Sequence, residues 1–237
     1  MDILHHYNDD HNTTSAIEVV PYILQILPVK PISVLDVGCG RGQWLKVFKE
    51  NRIDRVLGID GNHVPAEIKM VDPNSEFKVF DLKNIKNLVL KKQFDLALCL
   101  EVAEHLPKEI AEDFVDFLTQ SSDIIIFAAA VIGQTGENHI NEQNPDYWRN
   151  LFRLKGFIML DAFREYFWNN TKVNWWYRQN LFLVVKEENR KQFPFKEYEN
   201  FYIHPELFAY KENILNNRQQ KNFGFIPKLK RGIKKIL

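Results

Sequence analysis

Short apolar runs recur along the chain, separated by polar or amphipathic stretches. The runs cover residues 33–37, 55–59, 76–80, 94–100, 123–129, 157–163 and 180–186. Runs of this length bounded by turn-forming residues are typical of buried strands, and several of the intervening stretches have the pattern of helices. This alternation predicts an α/β fold, in which a doubly wound parallel sheet is built with right-handed crossovers.

One further helix is predicted before the first strand. Thr14 and Ser15 are candidate caps for a helix over residues 16–27, and the prolines at 28 and 31 would end it. This helix is expected to cover an edge of the sheet.

The composition of the chain changes after residue 187. Aromatic and polar residues dominate there, so we expect a domain over residues 1–187 and a partly helical appendage over 188–237. The last ten residues space apolar side chains on one helical face and contain the basic residues Lys228, Lys230, Arg231, Lys234 and Lys235. Such a tail is suited to peripheral contact with an anionic membrane or a partner, although many short basic tails are only solvated.

Composition narrows the class of protein. The 237 residues are 45% hydrophobic and 26% charged, with a formal net charge of zero. This balance is typical of a soluble domain and argues against nucleic acid as a partner. Cys39 and Cys99 form no C-x-x-C pair, no signal peptide is visible, and the longest apolar run, 124–132, is too short to span a bilayer. We therefore expect a cytoplasmic protein, placed at the inner face of the membrane if the tail binds there.

A glycine-rich turn directly follows the first predicted strand. Asp36 precedes Gly38, Gly40 and Gly42, and Gln43 stands where the dinucleotide pattern G-x-G-x-x-G requires a third glycine. A redox enzyme that uses a dinucleotide is thus disfavoured, though it remains an alternative. The turn and the following helix N-terminus suit an anionic group of a cofactor.

Further acidic residues stand at the ends of the next strands. Asp60 lies 18 residues after Gly42, where a carboxylate can accept hydrogen bonds from both ribose hydroxyls, or can simply form a turn. Asp81 follows the third strand, and an aspartate at such a place is also a common helix cap. Strand ends at one edge of a doubly wound sheet form its ligand site, so these residues are expected to converge.

The pattern D-x-G-x-G-x-G at 36–42, together with F-D-x-x-x-x-x-E-V-x-E-H at 94–105, resembles class I S-adenosylmethionine-dependent methyltransferases. The resemblance covers residues 15–187 and implies a seven-stranded Rossmann-like sheet that ends in an antiparallel strand. It places the glycine loop under the methionine part of S-adenosylmethionine, Asp81 and Leu82 at the adenine, and Glu101 at the methionine end. The cofactor set is Asp36, Gly38, Cys39, Gly40, Gly42, Asp60, Asp81, Leu82, Leu100 and Glu101. Glu104 and His105 are expected to orient their loop by hydrogen bonding.

The polar loop after the fifth strand is the candidate acceptor site. Residues 139–148 read H-x-N-E-Q-x-x-x-Y-W and resemble bacterial methyltransferases of surface-glycan (capsule or O-antigen) biosynthesis. We expect His139 to act as general base and Glu142 to orient it, with Gln143 also near the acceptor. Alternatively, His139 only closes the loop over the cofactor.

A second cluster lies just before the last strand. Aromatic rings stack on sugar faces, so Trp176 is a candidate acceptor contact, and Arg178 could hold a phosphate or carboxylate. Both residues could equally pack the sheet edge. Methyl transfer needs no metal in principle, and we assign no metal ligand.

Together these features predict an enzyme that O-methylates a sugar, a nucleotide-linked sugar or a phosphoryl-type group in surface polysaccharide biosynthesis. An N-methyltransferase and a methyltransferase of small natural products remain alternatives. The motif N-P-P-Y or D-P-P-Y is absent after the fourth strand, which disfavours nucleic-acid and amide methylation. The alternative of another class is a non-catalytic binding protein of the same fold in a glycan-assembly complex. Oligomeric state has no signal in the sequence.

Overall fold

The computed structural model describes residues 13–90 and 93–223. The strands are β1 Ser33–Val37, β2 Arg55–Asp60, β3 Phe77–Val79, β4 Leu96–Leu100, β5 Ile124–Ala128, β6 Phe157–Leu160 and β7 Phe182–Lys186. The helices are α1 Thr14–Ile26, α2 Gln43–Glu50, α3 Ala111–Ser121, α4 Pro145–Leu154, α5 Arg164–Phe167, α6 Trp175–Asn180 and α7 Pro205–Phe223. Short 3₁₀ turns include Leu82–Asn87 and Ala103–His105. The basic tail lies outside the described residues.

Within the described residues, the strands form one seven-stranded sheet in the order β3-β2-β1-β4-β5-β7-β6. β1 pairs in parallel with β2 and β4, whereas β7 runs antiparallel to β5 and β6. The strand order reverses between β1 and β4, and ligands of such sheets bind beyond the carboxyl ends of the strands at this point. The predicted fold class is confirmed.

The sheet separates two apolar clusters, and this explains why its strands read as continuous apolar runs. Neighbouring residues on a strand alternate between the clusters: Val34 packs on one face, and Leu35 and Val37 pack on the other. In β4, Leu98 and Cys99 divide in the same way. Helices and turns cover both faces, so the strands need no polar side.

Some predicted boundaries were wrong for local reasons. Helix α1 begins at Thr14 itself, and no side chain caps it. Strand β7 begins two residues later than predicted because Asn180 still belongs to α6. Strand β6 ends at Leu160, and the next amide, that of Asp161, donates to the carbonyl of Lys196.

The segment after β7 packs closely on the sheet. Phe193, Tyr198 and Leu207 are buried, and the ring of Tyr198 contacts that of Phe182 at 5.1 Å between centroids. Helix α7 then follows, which agrees with the expected helical content of this part. None of the helices in the described ranges is both long and apolar enough to cross a bilayer.

Candidate active site

The glycine turn has the backbone geometry that its sequence predicts. Gly38, Gly40 and Gly42 all have positive φ angles, of 79°, 54° and 82°. At Gly38 there is also no room for a side chain, because a Cβ atom would lie 2.3 Å from Cγ2 of Val102. The turn therefore brings backbone amides close to the end of β4, where a ligand would bind.

Asp60 fixes the turn from the end of β2. Its Oδ2 accepts a hydrogen bond from the amide of Gly40 at 2.6 Å, and its Oδ1 accepts one from the amide of Gly61 at 2.6 Å. A carboxylate oxygen has more than one lone pair, so both oxygens keep acceptor capacity for the ribose hydroxyls. The ribose contact itself stays a prediction.

Asp36 lies buried beneath the same turn. Its Oδ2 has no hydrogen-bond partner within the described residues. Burial, and secondly the charge of Asp60, raise the pKa of Asp36 to about 8. A buried carboxyl without a partner is suited to a cationic ligand, and S-adenosylmethionine carries an ammonium and a sulfonium group.

We expect Asp36→Asn to flatten the pH dependence of stability in the cofactor-free protein. The pKa of Asp36 rises from its ordinary value of 3.8 to about 8 on folding, so between these values the folded state holds a proton that the unfolded chain has lost. The free energy of unfolding then falls as pH rises, by up to about 1.4 kcal/mol per pH unit from this group. Urea unfolding at several pH values would measure the slope. Parallel curves for the wild type and Asp36→Asn would contradict this, and the exposed Asp113→Asn is the control.

The remaining predicted cofactor residues have varied local roles. Asp81 is exposed and caps the turn Leu82–Asn87 by accepting from the amide of Lys83 at 3.0 Å. Leu82 and Leu100 are buried. The side chain of Cys39 is buried against Gly58, so only its backbone can face a ligand. The contacts expected at the adenine and at the methionine group stay predictions.

Glu101 joins three parts of the site. It has a positive φ of 55°, which is strained for a residue with a side chain. Its carboxylate accepts from Nε2 of Gln134 at 2.8 Å and from Nδ2 of Asn180 at 3.0 Å. Burial raises the pKa of Glu101 to about 7, against the opposing effect of these two amides. Gln134 was not predicted as a site residue, although a polar residue so soon after an apolar strand was the available signal.

The predicted pair of His139 and Glu142 is in contact. Nδ1 of His139 lies 2.8 Å from Oε1 of Glu142, and Glu142 also accepts from the amides of Gly133 and Thr135. An ionised carboxylate can only accept, so Nδ1 is the donor in this contact, and in the neutral ring Nε2 is then the nitrogen with the lone pair. The ring of His139 meets that of His105 edge-on, 4.8 Å between centroids.

The other predicted acceptor residues differ in exposure. Trp176 is half-buried beside Trp175. Gln143 donates to Oδ1 of Asn141 at 2.9 Å. Arg178 is buried, and its guanidinium donates to Glu206 at 2.6 Å and to the carbonyl of Trp168 at 3.0 Å. In this arrangement Arg178 ties the first turn of α7 to the carbonyl of Trp168, and its contact with an acceptor stays a prediction.

Arg178→Met should lower the free energy of unfolding by about 2 kcal/mol, because it removes a buried cation whose partner Glu206 is half-exposed. Chemical denaturation would measure the loss, and the exposed Arg153→Met is the control. If Arg178→Met instead kept its stability and had a raised KM for the acceptor, the predicted contact between Arg178 and the acceptor would be supported.

Comparison with known proteins assigns a domain to part of the chain. A family model described as a methyltransferase domain matches residues 9–123, which include the glycine turn, Asp60, Asp81 and Glu101. No sequence among curated proteins matches the chain.

Solved structures show the same fold. The plantazolicin methyltransferase in complex with SAH is 16% identical, with a TM-score of 0.53 over 78% of this chain and 88% of that one. Magnesium protoporphyrin IX methyltransferase from Synechocystis PCC 6803 is 17% identical, with a TM-score of 0.52 over 73% and 83%. A putative O-methyltransferase from Nostoc punctiforme PCC 73102 is 14% identical, with a TM-score of 0.51 over 72% and 55%.

The matched domain and the fold define the class of the protein. It is an S-adenosylmethionine-dependent methyltransferase of class I architecture, and S-adenosylmethionine is its cofactor. The matched range includes the carboxyl ends of β1 to β4, where sheets of this kind bind their ligands.

Proposed function

We propose that the protein O-methylates a hydroxyl of a sugar, a nucleotide-linked sugar or a phosphoryl-type acceptor in surface polysaccharide biosynthesis. The proposal depends chiefly on the contact of 2.8 Å between His139 and Glu142, because an imidazole held by a carboxylate is suited to accept a proton from a hydroxyl. The sequence of residues 139–148 supports the glycan pathway. The similar structures include a porphyrin and a plantazolicin methyltransferase, so they do not define the acceptor.

Methyl transfer depends more on aligning the acceptor oxygen with the methyl group than on reactive side chains. The acceptor oxygen attacks the methyl carbon, the bond from that carbon to sulfur breaks, and the sulfonium becomes a neutral thioether. The hydroxyl proton passes to Nε2 of His139, whose tautomer Glu142 fixes. S-adenosylmethionine bound beyond β1 and β4 would supply the methyl group, and the loop that carries His139 is tied to the turn after β4 by the bonds from the amides of Ile140 and Asn141 to the carbonyl of Glu104.

The acceptor side of the proposed site is formed by loops and by α7. Trp175 and Trp176 present partly exposed rings, and the ring of Trp175 contacts that of Tyr210 at 5.9 Å. Nζ of Lys211 donates to Oγ1 of Thr135 at 3.1 Å, which joins α7 to the loop after β5. Aromatic rings beside a lysine suit a sugar that carries a negative group.

The test is incubation with isotope-labelled S-adenosylmethionine and a panel of nucleotide sugars, phosphorylated sugars and glycan fragments, analysed by mass spectrometry. We expect transfer to a hydroxyl of at least one such acceptor. Transfer only to amines would favour an N-methyltransferase. Titration calorimetry with S-adenosylhomocysteine addresses the non-catalytic alternative, since a protein that does not bind it could not be the proposed enzyme.

A further inference from the structure

Three potential metal ligands converge beside the proposed acceptor site. Glu104 and His105 lie in the turn Ala103–His105 after β4, and His139 lies in the loop after β5. One ligand atom from each residue lies within 4.8 Å of the other two. No metal ligand was predicted from the sequence, in which Glu104 and His105 lie far from His139.

The carboxylate of Glu104 is buried, and a buried carboxylate needs a hydrogen-bond or ionic partner to be stable. Its residue is 0% exposed, and neither oxygen has a hydrogen-bond partner of ordinary geometry within the described residues. Burial, and then the charge of Glu101, raise its pKa well above the usual range, while the amides of Glu104 and Ala130 oppose this. A buried carboxylate that accepts no hydrogen bond of ordinary geometry is rare, and one common reason for it is a bound cation.

The two loops are held so that His139 can act as a ligand. The carbonyl of Glu104 accepts from the amides of Ile140 and Asn141, both at 2.9 Å, so the turn and the loop are tied directly beside His139. Glu142 binds Nδ1 of His139. In metal sites, a carboxylate that does not itself bind the metal often orients a histidine ligand by the same hydrogen bond. Gly136 lies beside the other nitrogen and has no side chain to block it, since a Cβ there would lie 2.2 Å from Nε2.

We propose that Glu104, His105 and His139 bind one divalent cation of the Zn²⁺ or Mn²⁺ type. Two imidazoles and one carboxylate form a ligand set of catalytic zinc and related sites, whereas Mg²⁺ and Ca²⁺ prefer oxygen ligands alone. Ligand atoms around a shared tetrahedral ion lie roughly 3.4 Å apart, so binding would draw the two rings slightly inward. Three protein ligands leave at least one position open for an acceptor hydroxyl.

The role of the ion rests on the proposed function, although the binding itself does not. A hydroxyl bound to the ion loses its proton more readily, and that proton passes to bulk water. The resulting oxygen then takes the methyl group, as the bond from carbon to sulfur breaks. In this ion-bound form, Nε2 of His139 holds the ion and does not accept the proton itself.

The experiment measures binding apart from activity. Protein stripped with a chelator is titrated calorimetrically with ZnCl₂ and then with MnCl₂, and the bound metal is counted by mass spectrometry. We expect one ion per chain, bound at least about 100-fold more weakly by Glu104→Gln and by His105→Ala. The matched control is Glu109→Gln, whose side chain is exposed. Binding of S-adenosylhomocysteine by each variant shows that it is folded.

The outcomes separate the two proposals. Equal ion affinity in the wild type and in Glu104→Gln would overturn the metal site, and so would the absence of one stoichiometric ion in the wild type. A chelated, ion-free protein that methylates hydroxyls at the full rate would also overturn the ion's role, while the proposed function would stand. If both variants lose the ion and the wild type methylates no acceptor of the panel, the metal site is supported and the proposed acceptor class is removed.

Discussion

Gly38→Ala should abolish measurable binding of S-adenosylhomocysteine and lower the free energy of unfolding by about 3 kcal/mol. Two causes add at this position. The φ angle of 79° is strained for alanine, and the new Cβ would lie 2.3 Å from Cγ2 of Val102. To relieve this overlap, either the glycine turn or the segment directly after Glu101 must move. Titration calorimetry and chemical denaturation would measure the two effects.

Gly156→Ala is a matched control for the backbone cost alone. Gly156 has a φ of 76°, and nothing lies within 4 Å of a Cβ built there. We expect this variant to lose about 1 kcal/mol of stability and to keep full cofactor affinity. Adding Val102→Ala to Gly38→Ala should then recover part of the loss, because it removes the overlapping methyl groups. If Gly38→Ala were no worse than Gly156→Ala, the steric argument would be refuted.

His139→Ala should reduce turnover at least about 100-fold and leave the affinity for S-adenosylhomocysteine unchanged. The side chain contacts Glu142 and His105 on the acceptor side, and within the described residues no hydrogen bond or ring contact joins it to the glycine turn. Its loss therefore removes activation of the acceptor without disturbing the cofactor. Single-turnover kinetics on an acceptor identified from the panel would separate the chemical step from product release.

Ile140→Ala tests whether a general disturbance of the loop, rather than loss of the imidazole, explains the reduced turnover of His139→Ala. Ile140 is the neighbouring residue, it is 62% exposed, and its amide remains bonded to Glu104. We expect turnover within a few-fold of the wild type, as is usual for exposed positions. Wild-type turnover in His139→Ala would exclude both roles proposed for this residue, as a base and as a metal ligand.

The strands and the cofactor side of the site could be predicted because the signals are local. An apolar run followed by Gly38, Gly40 and Gly42 specifies a buried strand and a turn with positive φ angles wherever it occurs. The position of Asp60 followed from its distance along the chain, and the hydrogen bond of 2.6 Å to Gly40 shows that the two strand ends meet. Boundaries were less predictable, because α6 continues to Asn180 through contacts that the apolar pattern does not encode.

The acceptor side depends on contacts between distant parts of the chain. The sequence offered Arg178 as a ligand for phosphate, yet the structure buries it against Glu206 and Trp168. It also assigned no role to Gln134, which binds Glu101. A polar residue near a strand end looks the same in a sequence whether it faces a ligand or pairs inside the protein.

The sequence by itself determined the class of fold, the glycine turn and the order of the predicted cofactor residues, since periodicity and backbone conformation are local properties. Only the tertiary structure decided which polar groups remain without partners. Glu104 and His139 come together because β4 and β5 are neighbours in the sheet and the backbone ties their two loops. Burial and pairing are properties of the whole packed molecule, and they separate two buried groups: neither carboxylate oxygen of Glu104 accepts a hydrogen bond of ordinary geometry, whereas the guanidinium of Arg178 donates to Glu206 and to the carbonyl of Trp168.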